Sequence, residues 1–302
     1  MSGRSVTIAG AGLAGSLMAA LLARRGHRVR VFERLPDLRR ETLPAGRSIN
    51  LALAARGMVA LEAAGLMDRV QPLLIPMAGR MLHDERGELA FLPYGQHGEH
   101  IYSVSRPGLN RVLLDAAEAA GVEVHFRHTV VGGDLAAGEL HVRDEASGAV
   151  HTLPMEHVIA ADGAGSALRR SLVEQLGVHC TEDLLEHGYK ELVMPADAAG
   201  RYQMEPGALH IWPRGGFMLI ALPNLDGSFT VTLFLANSGA SSFAALAEPE
   251  AVEAFFAEHF PDALRLIPDA AAQVLRRPTG ILGTVHCAQW SYRDRLLLIG
   301  DA

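Results

Sequence analysis

VTIAGAGLAG, residues 6–15, runs from a short apolar strand straight into glycines at positions 10, 12 and 15. A helix is expected from Leu13 to about Arg25, with Leu17, Leu21 and Arg24 at helical spacing and Gly26 as its stop. HRVRVFE, residues 27–33, reads as a second strand ending in Glu33. This succession of strand, turn, helix and strand has the length of a dinucleotide-binding unit. Gly10 permits the tight turn, Gly12 lets the backbone approach a pyrophosphate, and Gly15 lets helix and strand pack closely. Leu13 and Ala14 open the helix, whose free N–H groups and positive dipole end suit phosphates. Glu33, eighteen residues after Gly15, is placed to accept hydrogen bonds from a ribose, with Arg34 beside it. Its charge repels a 2′-phosphate, which disfavours NADPH as the ligand of this site and leaves FAD and NAD.

The rest of the 302 residues fits a sizeable folded chain, with 49% hydrophobic and 20% charged residues. A formal net charge of -7 and no basic run exclude nucleic acid as an expected partner. Cys180 and Cys287 stand far apart in sequence and form no CxxC pair, which suits a reducing cytoplasm and argues against a cysteine metal site. His97 with His100, and His125 with His128, lack the helical HExxH arrangement, so they read as loop or strand-end histidines rather than metal ligands. The apolar stretch after Arg4 carries turn glycines and no cleavage site, so it is not a leader, and no stretch reaches the length of a membrane span.

Further along, GRMLHDERGELAFLPYG (79–95) reads as a hairpin turning at 84–87. Pro107 marks the start of a helix stopped by Gly121, and VEVHFRH (122–128) reads as one returning strand. A helix over Leu51–Leu61, capped by Ser48 and Asn50, is the plain structural reading of that segment. From Gly188 to Leu235 four strand-like runs are broken by turn residues, which predicts a largely antiparallel sheet of different architecture. Its apolar residues Phe217, Leu219 and Phe229 read as core. The fold class is therefore α/β: a Rossmann-like FAD-binding domain (1–70, 101–178 and the final strand 291–302) interleaved with a mainly antiparallel substrate domain (71–100 and 179–290).

Two later motifs choose FAD over NAD. Asp162-Gly163 with Ser166 and Arg169 matches the DG pattern of flavin-dependent aromatic hydroxylases, and Gly300-Asp301 opens their GD motif. Arg106 and Leu109 match their Arg-x-x-Leu. GRSINLALAARG (46–57), GRM (79–81), PYG (93–95), HGYKEL (187–192), LHIWPRGGFMLIALPN (209–224) and DGSFTVTLFL (226–235) together closely resemble the kynurenine 3-monooxygenase family, from the first strand to the last residue. The resemblance implies FAD as cofactor and NADPH and O2 as co-substrates. It also implies hydroxylation of L-kynurenine at the ring 3-position through a flavin C4a-hydroperoxide. It places Arg47 beside the flavin, Arg80 on the substrate carboxylate and Tyr94 in a hydrogen bond to that carboxylate. It names no catalytic dyad, because the aromatic amine of kynurenine already activates the position attacked.

Three other readings stay open at this point: a hydroxylase of another anthranilate-like aromatic, an inert flavin-binding fragment, and an NAD-dependent dehydrogenase. Family members continue beyond the GD motif, so the chain is expected to be truncated at its C-terminus. It is expected to be cytoplasmic, with no membrane anchor in these 302 residues.

Overall fold

Val6, Ile8 and Ala9 are buried because the Ser5–Ala9 strand has a parallel neighbour on each side, Arg28–Glu33 and Val158–Ala160. The computed structural model describes residues 3–41 and 50–302. The sheet grows outward to six strands, with Glu123–Phe126 beyond Arg28–Glu33 on one side. On the other, Leu296–Leu298 runs parallel to Val158–Ala160, and Ser291–Tyr292 closes that edge antiparallel. The Leu13–Arg24 and Arg106–Ala119 helices pack together on this sheet, the second capped by Ser105, whose hydroxyl accepts from the Gly108 N–H at 3.2 Å.

Two local expectations need correction. The 122–128 segment is not one strand: Arg127 adopts φ 57, which ends one strand at Phe126 and starts another, His128–Asp134, in a separate three-stranded antiparallel sheet. The Leu51–Leu61 helix begins later than expected, since Asn50–Leu53 is a strand paired with Ile101–Ser105 and the helix spans Ala55–Ala63. Asn50 donates to Ser103 Oγ at 2.7 Å and to the Pro223 carbonyl at 3.0 Å, so it ties two sheets together instead of capping a helix.

The second large sheet has seven strands, antiparallel except where the Gly79–His83 strand of the hairpin joins Ala208–Arg214 in parallel. Strand alternation gives it two different faces. Trp212, Leu219 and Phe229 on one face are fully buried against the Pro249–His259 and Ala270–Arg276 helices, together with Phe256 and Phe260. The opposite face carries Arg80, Leu209, Ile211, Ile220, Phe234 and Tyr189, all partly or largely exposed.

A buried polar chain locks the hairpin to the helix face. His210 Nε2 lies 2.8 Å from the Glu205 carbonyl, which can only accept, so that nitrogen carries the proton. His210 Nδ1 is then the acceptor for His83 Nε2–H at 2.8 Å. The other nitrogen of His83 meets Asp262 Oδ2 at 2.8 Å, and the same oxygen accepts from Trp212 Nε1–H at 2.8 Å. Burial opposes the Asp262 charge, but the bonds from His83 and Trp212 outweigh it and hold the carboxyl at about 2. Asp262 is therefore ionised at neutral pH and accepts from the Nδ1–H of His83.

Burial holds His210 down at about 4, against 6.5 for the free group. Between those values the unfolded chain binds a proton that the folded chain refuses, so stability falls as the pH drops through this window. A loss on the order of 2–3 kcal/mol is expected between pH 7 and pH 4. Urea unfolding at the two pH values measures it, and His210→Asn should show a smaller drop. Equal drops in both proteins would acquit His210.

Candidate functional site

The glycine turn is held on several sides. The Gly10 N–H donates to the Phe32 carbonyl at 2.8 Å, and Gly10 takes φ +95 with the Ala161 carbonyl 2.5 Å from where a Cβ would stand. Ala11 is fastened three times: its N–H donates to Glu33 Oε2 at 2.7 Å, and its carbonyl accepts from Ser16 Oγ at 2.9 Å and from Asn110 Nδ2 at 3.1 Å. Glu33 Oε1 also accepts from the Leu35 N–H at 2.8 Å. Each carboxylate oxygen keeps a further lone pair, so bracing the turn leaves Glu33 able to accept from a ligand. The Leu13–Arg24 helix has Gly12 at its N-cap, no side-chain cap and no acid in its first turn, which leaves its leading N–H groups for an anion.

A cleft of about 910 Å³ opens over this turn. Gly10, Gly12, Leu13, Ala14, Glu33, Arg34, Arg106, Asp162, Gly163 and Asp301 all line it. Three motifs more than a hundred residues apart thus share one wall, because the strands that precede them lie side by side in the six-stranded sheet. Gly15 does not line the cleft. A Cβ there would stand 2.0 Å from the Gly10 carbonyl oxygen and 3.3 Å from Ala161 Cβ, so its smallness serves the close packing of helix and turn. Arg47 and Ser48 lie outside the described residues.

Arginine dominates the charge around the cleft. Arg143 and Arg170 join Arg34 and Arg106 in lining it, together with His128, Thr129 and Tyr189. The sequence reading missed Arg143, Arg170, His128 and Tyr189 as cleft residues. Arg170 follows the DG motif directly and was within reach of inspection; Arg143 arrives from a separate antiparallel sheet and carries no local signal. Arg169 is buried and works behind the wall: it donates to the Ala164 carbonyl, to the Asp301 carbonyl at 3.4 Å and to Glu182 at 3.1 Å, joining the two acidic motifs.

An anionic dinucleotide fits what is here. Cβ atoms built at Gly12, Gly163 and Gly165 meet nothing within 4 Å among the described residues, so these glycines leave room along the wall. Asp162 Oδ2 accepts from the Ala167 N–H at 2.9 Å, while its buried Oδ1 has no hydrogen-bond partner among the described residues. A buried acceptor without a donor is costly, and a ligand hydroxyl or amide would satisfy it.

Arg80 and Tyr94 are brought together, away from the cleft. The Arg80 guanidinium lies 5.0 Å from the centroid of the Tyr94 ring. Burial raises the Tyr94 phenol, with the charge and hydrogen bonding of the adjacent Arg80 opposing. Arg80 and the cleft residue Tyr189 point to the same sheet face across four strand spacings, about 19 Å. A smaller cleft of about 300 Å³ also borders Tyr189, with Glu191, Arg276 and Arg277 on its walls.

Comparison with known proteins agrees with this arrangement. Residues 4–302 match a family model described as "FAD binding domain". The chain is 49% identical over 300 residues to the kynurenine 3-monooxygenase of Myxococcus xanthus, covering 99% of this chain and 65% of that protein. It is 44% identical over 299 residues to that of Flavobacterium psychrophilum, covering 99% and 66%. The enzyme of the same name from Xanthomonas axonopodis pv. citri is 46% identical over 303 residues, covering 100% and 67%. The chain thus spans about two thirds of the length of these relatives. Among solved structures, 2-methyl-3-hydroxypyridine-5-carboxylic acid oxygenase superposes with a TM-score of 0.78 at 21% identity, covering 100% of this chain and 76% of that one. The p-nitrophenol 4-monooxygenase of Pseudomonas putida does so with a TM-score of 0.71 at 18% identity, covering 100% and 73%. These two show the shared fold.

Proposed function

We propose, for a chain that belongs to the FAD-binding-domain family in its kynurenine 3-monooxygenase branch, that it forms the cofactor cleft and part of the substrate wall of an enzyme hydroxylating L-kynurenine to 3-hydroxykynurenine. The observation that carries the reading is the convergence of the glycine turn, Asp162-Gly163 and Asp301 on one arginine-rich cleft. FAD would be held there, its pyrophosphate at the helix N-terminus that begins after Gly12 and its adenosine ribose at Glu33. Bound FAD supplies the redox chemistry: it takes electrons from NADPH and activates O2.

The chain's own residues bind, orient and exclude water. The interleaved division, with 71–100 and 179–290 as the substrate side, gives this face its role. Arg80 offers a planar fork to the carboxylate of kynurenine, and the Tyr94 hydroxyl beside it donates to the same carboxylate. Leu209, Ile211, Ile220 and Phe234 extend from there across the sheet as an apolar wall for the aromatic ring. The substrate's amine donates electron density into its ring, so no base is needed to deprotonate it. The wall's apolar lining serves water exclusion instead. We place this work in the cytoplasm; no described helix is long and apolar enough to cross a membrane.

The test is the visible spectrum of the purified chain with FAD, titrated with L-kynurenine. A bound flavin spectrum that shifts on titration supports the reading, and a flavin spectrum indifferent to kynurenine removes the substrate from it. Failure to take up FAD would remove the cofactor as well. Arg80→Ala should weaken kynurenine about ten-fold or more, on the order of 1.4 kcal/mol, with flavin affinity unchanged. An unaltered kynurenine titration in that variant would take Arg80 out of the site.

A further inference from the structure

Cys180 and Cys287, read from the sequence as distant residues, are direct partners in the structure. They face each other across the antiparallel pair formed by Cys180–Met194 and Gly280–Cys287. The flanking bond identifies the kind of pairing. The Ala288 N–H donates to the His179 carbonyl at 3.0 Å, so His179 and Ala288 occupy the hydrogen-bonded site and the cysteines the non-hydrogen-bonded one. At such a site Cα atoms stand about 4.5 Å apart and side chains approach most closely. That spacing lies inside the roughly 4.4–6.8 Å range of disulfides.

The thiols face each other across the strand pair and are reachable. Cys287 Sγ donates to the Gln289 carbonyl at 3.2 Å, which leaves its lone pairs free on the side of Cys180. Both cysteines are reduced and only partly buried. Their place in the fold gives a bond between them a consequence. Two residues beyond Cys180, Glu182 holds Arg169, which also bonds the Ala164 and Asp301 carbonyls beside the cleft. Beyond Cys287 the chain leads into the Leu296–Leu298 strand and then Asp301.

We propose that Cys180 and Cys287 form a reversible redox pair, oxidised by a peroxide to a cross-strand disulfide that pins together the segments behind the DG and GD motifs. One thiol gives up its proton and attacks a peroxide oxygen; the O–O bond breaks and the departing hydroxide takes that proton to leave as water. The resulting sulfenic acid is attacked by the second sulfur, the S–S bond forms, and the sulfenic oxygen leaves as a second water. Two thiols are oxidised by two electrons and one hydrogen peroxide is reduced. Burial and the neighbouring thiol raise Cys180, so the uptake is slow and gains from proximity rather than from a preformed thiolate.

The experiment treats the whole chain with hydrogen peroxide and follows intact mass, thiol alkylation and thermal unfolding without reductant. The expected result is a monomer lighter by two hydrogen atoms, both thiols protected, and one cross-linked peptide containing Cys180 and Cys287. The bond closes a loop of roughly a hundred residues, so Tm should rise by about 3 °C or more and return with dithiothreitol. Cys180→Ser and Cys287→Ser should show neither change. Thiols that stay alkylatable, that oxidise singly to sulfinic or sulfonic acid, or that link two chains would overturn the proposal. The mass and alkylation readouts need no variant, and none of them depends on the proposed hydroxylase activity.

Discussion

Gly15→Ala should lose flavin binding and stability together. The added Cβ would stand 2.0 Å from the Gly10 carbonyl oxygen and 3.1 Å from its carbonyl carbon, and backbone atoms cannot rotate away as a side chain does. The helix must back off the turn, which misplaces the N–H groups that face the cleft and strains a tightly packed contact, at a cost of about 1–3 kcal/mol in stability. FAD affinity is expected to fall at least about 100-fold, or roughly 2.7 kcal/mol, by flavin fluorescence titration. Gly12→Ala is the informative companion. Its Cβ would meet nothing within 4 Å among the described residues, so the fold should keep its Tm while the methyl intrudes on the cleft and weakens FAD. Two variants that bind FAD as the unaltered chain does would place the flavin elsewhere.

Asp262→Ala, in the Pro261–Leu264 helix against the second sheet, should be strongly destabilising. The substitution leaves the His83 Nδ1–H and the Trp212 Nε1–H without their shared acceptor, and both side chains are buried. Leaving a buried donor without an acceptor costs about 1–3 kcal/mol, and this change strands two. Urea unfolding at pH 7 measures this, and a loss below about 1 kcal/mol would show that these two bonds do not hold the hairpin to the helix face. The stability that Asp262 draws from these bonds is present above its ordinary 3.8 and is lost as the pH falls toward about 2. His83 and Arg80 sit on opposite faces of one strand. Loosening the first should therefore weaken kynurenine binding through the second even where flavin binding survives.

The fold class and the cofactor were legible from the sequence, and the reasons are local. A strand, three glycines at fixed spacing, a helix and an acid occupy the first thirty-three residues, and the turn closes within that stretch, with Glu33 bonding Ala11. The same holds for Pro107 at a helix start and for the hairpin turn at 84–87, where short-range geometry alone selects residues. Strand Asn50–Leu53 escaped because its reason is remote: Asn50 is bonded to Pro223, 173 positions on, while its own neighbours look like a helix cap. Arg127 escaped because a left-handed backbone at a non-glycine residue has no mark in composition.

The sequence by itself determined a flavin fold with its glycine turn, its acid and the order of its motifs, because periodicity and turn chemistry are properties of adjacent residues. Only the tertiary structure decided that Arg143 and Arg170 face the same cleft as Gly12. It alone set His83 against Asp262 across 179 positions and Cys180 beside Cys287. Those contacts are made by packing sheets and helices whose partners lie far along the chain, and at such separations no local pattern of residues records which side chains will meet.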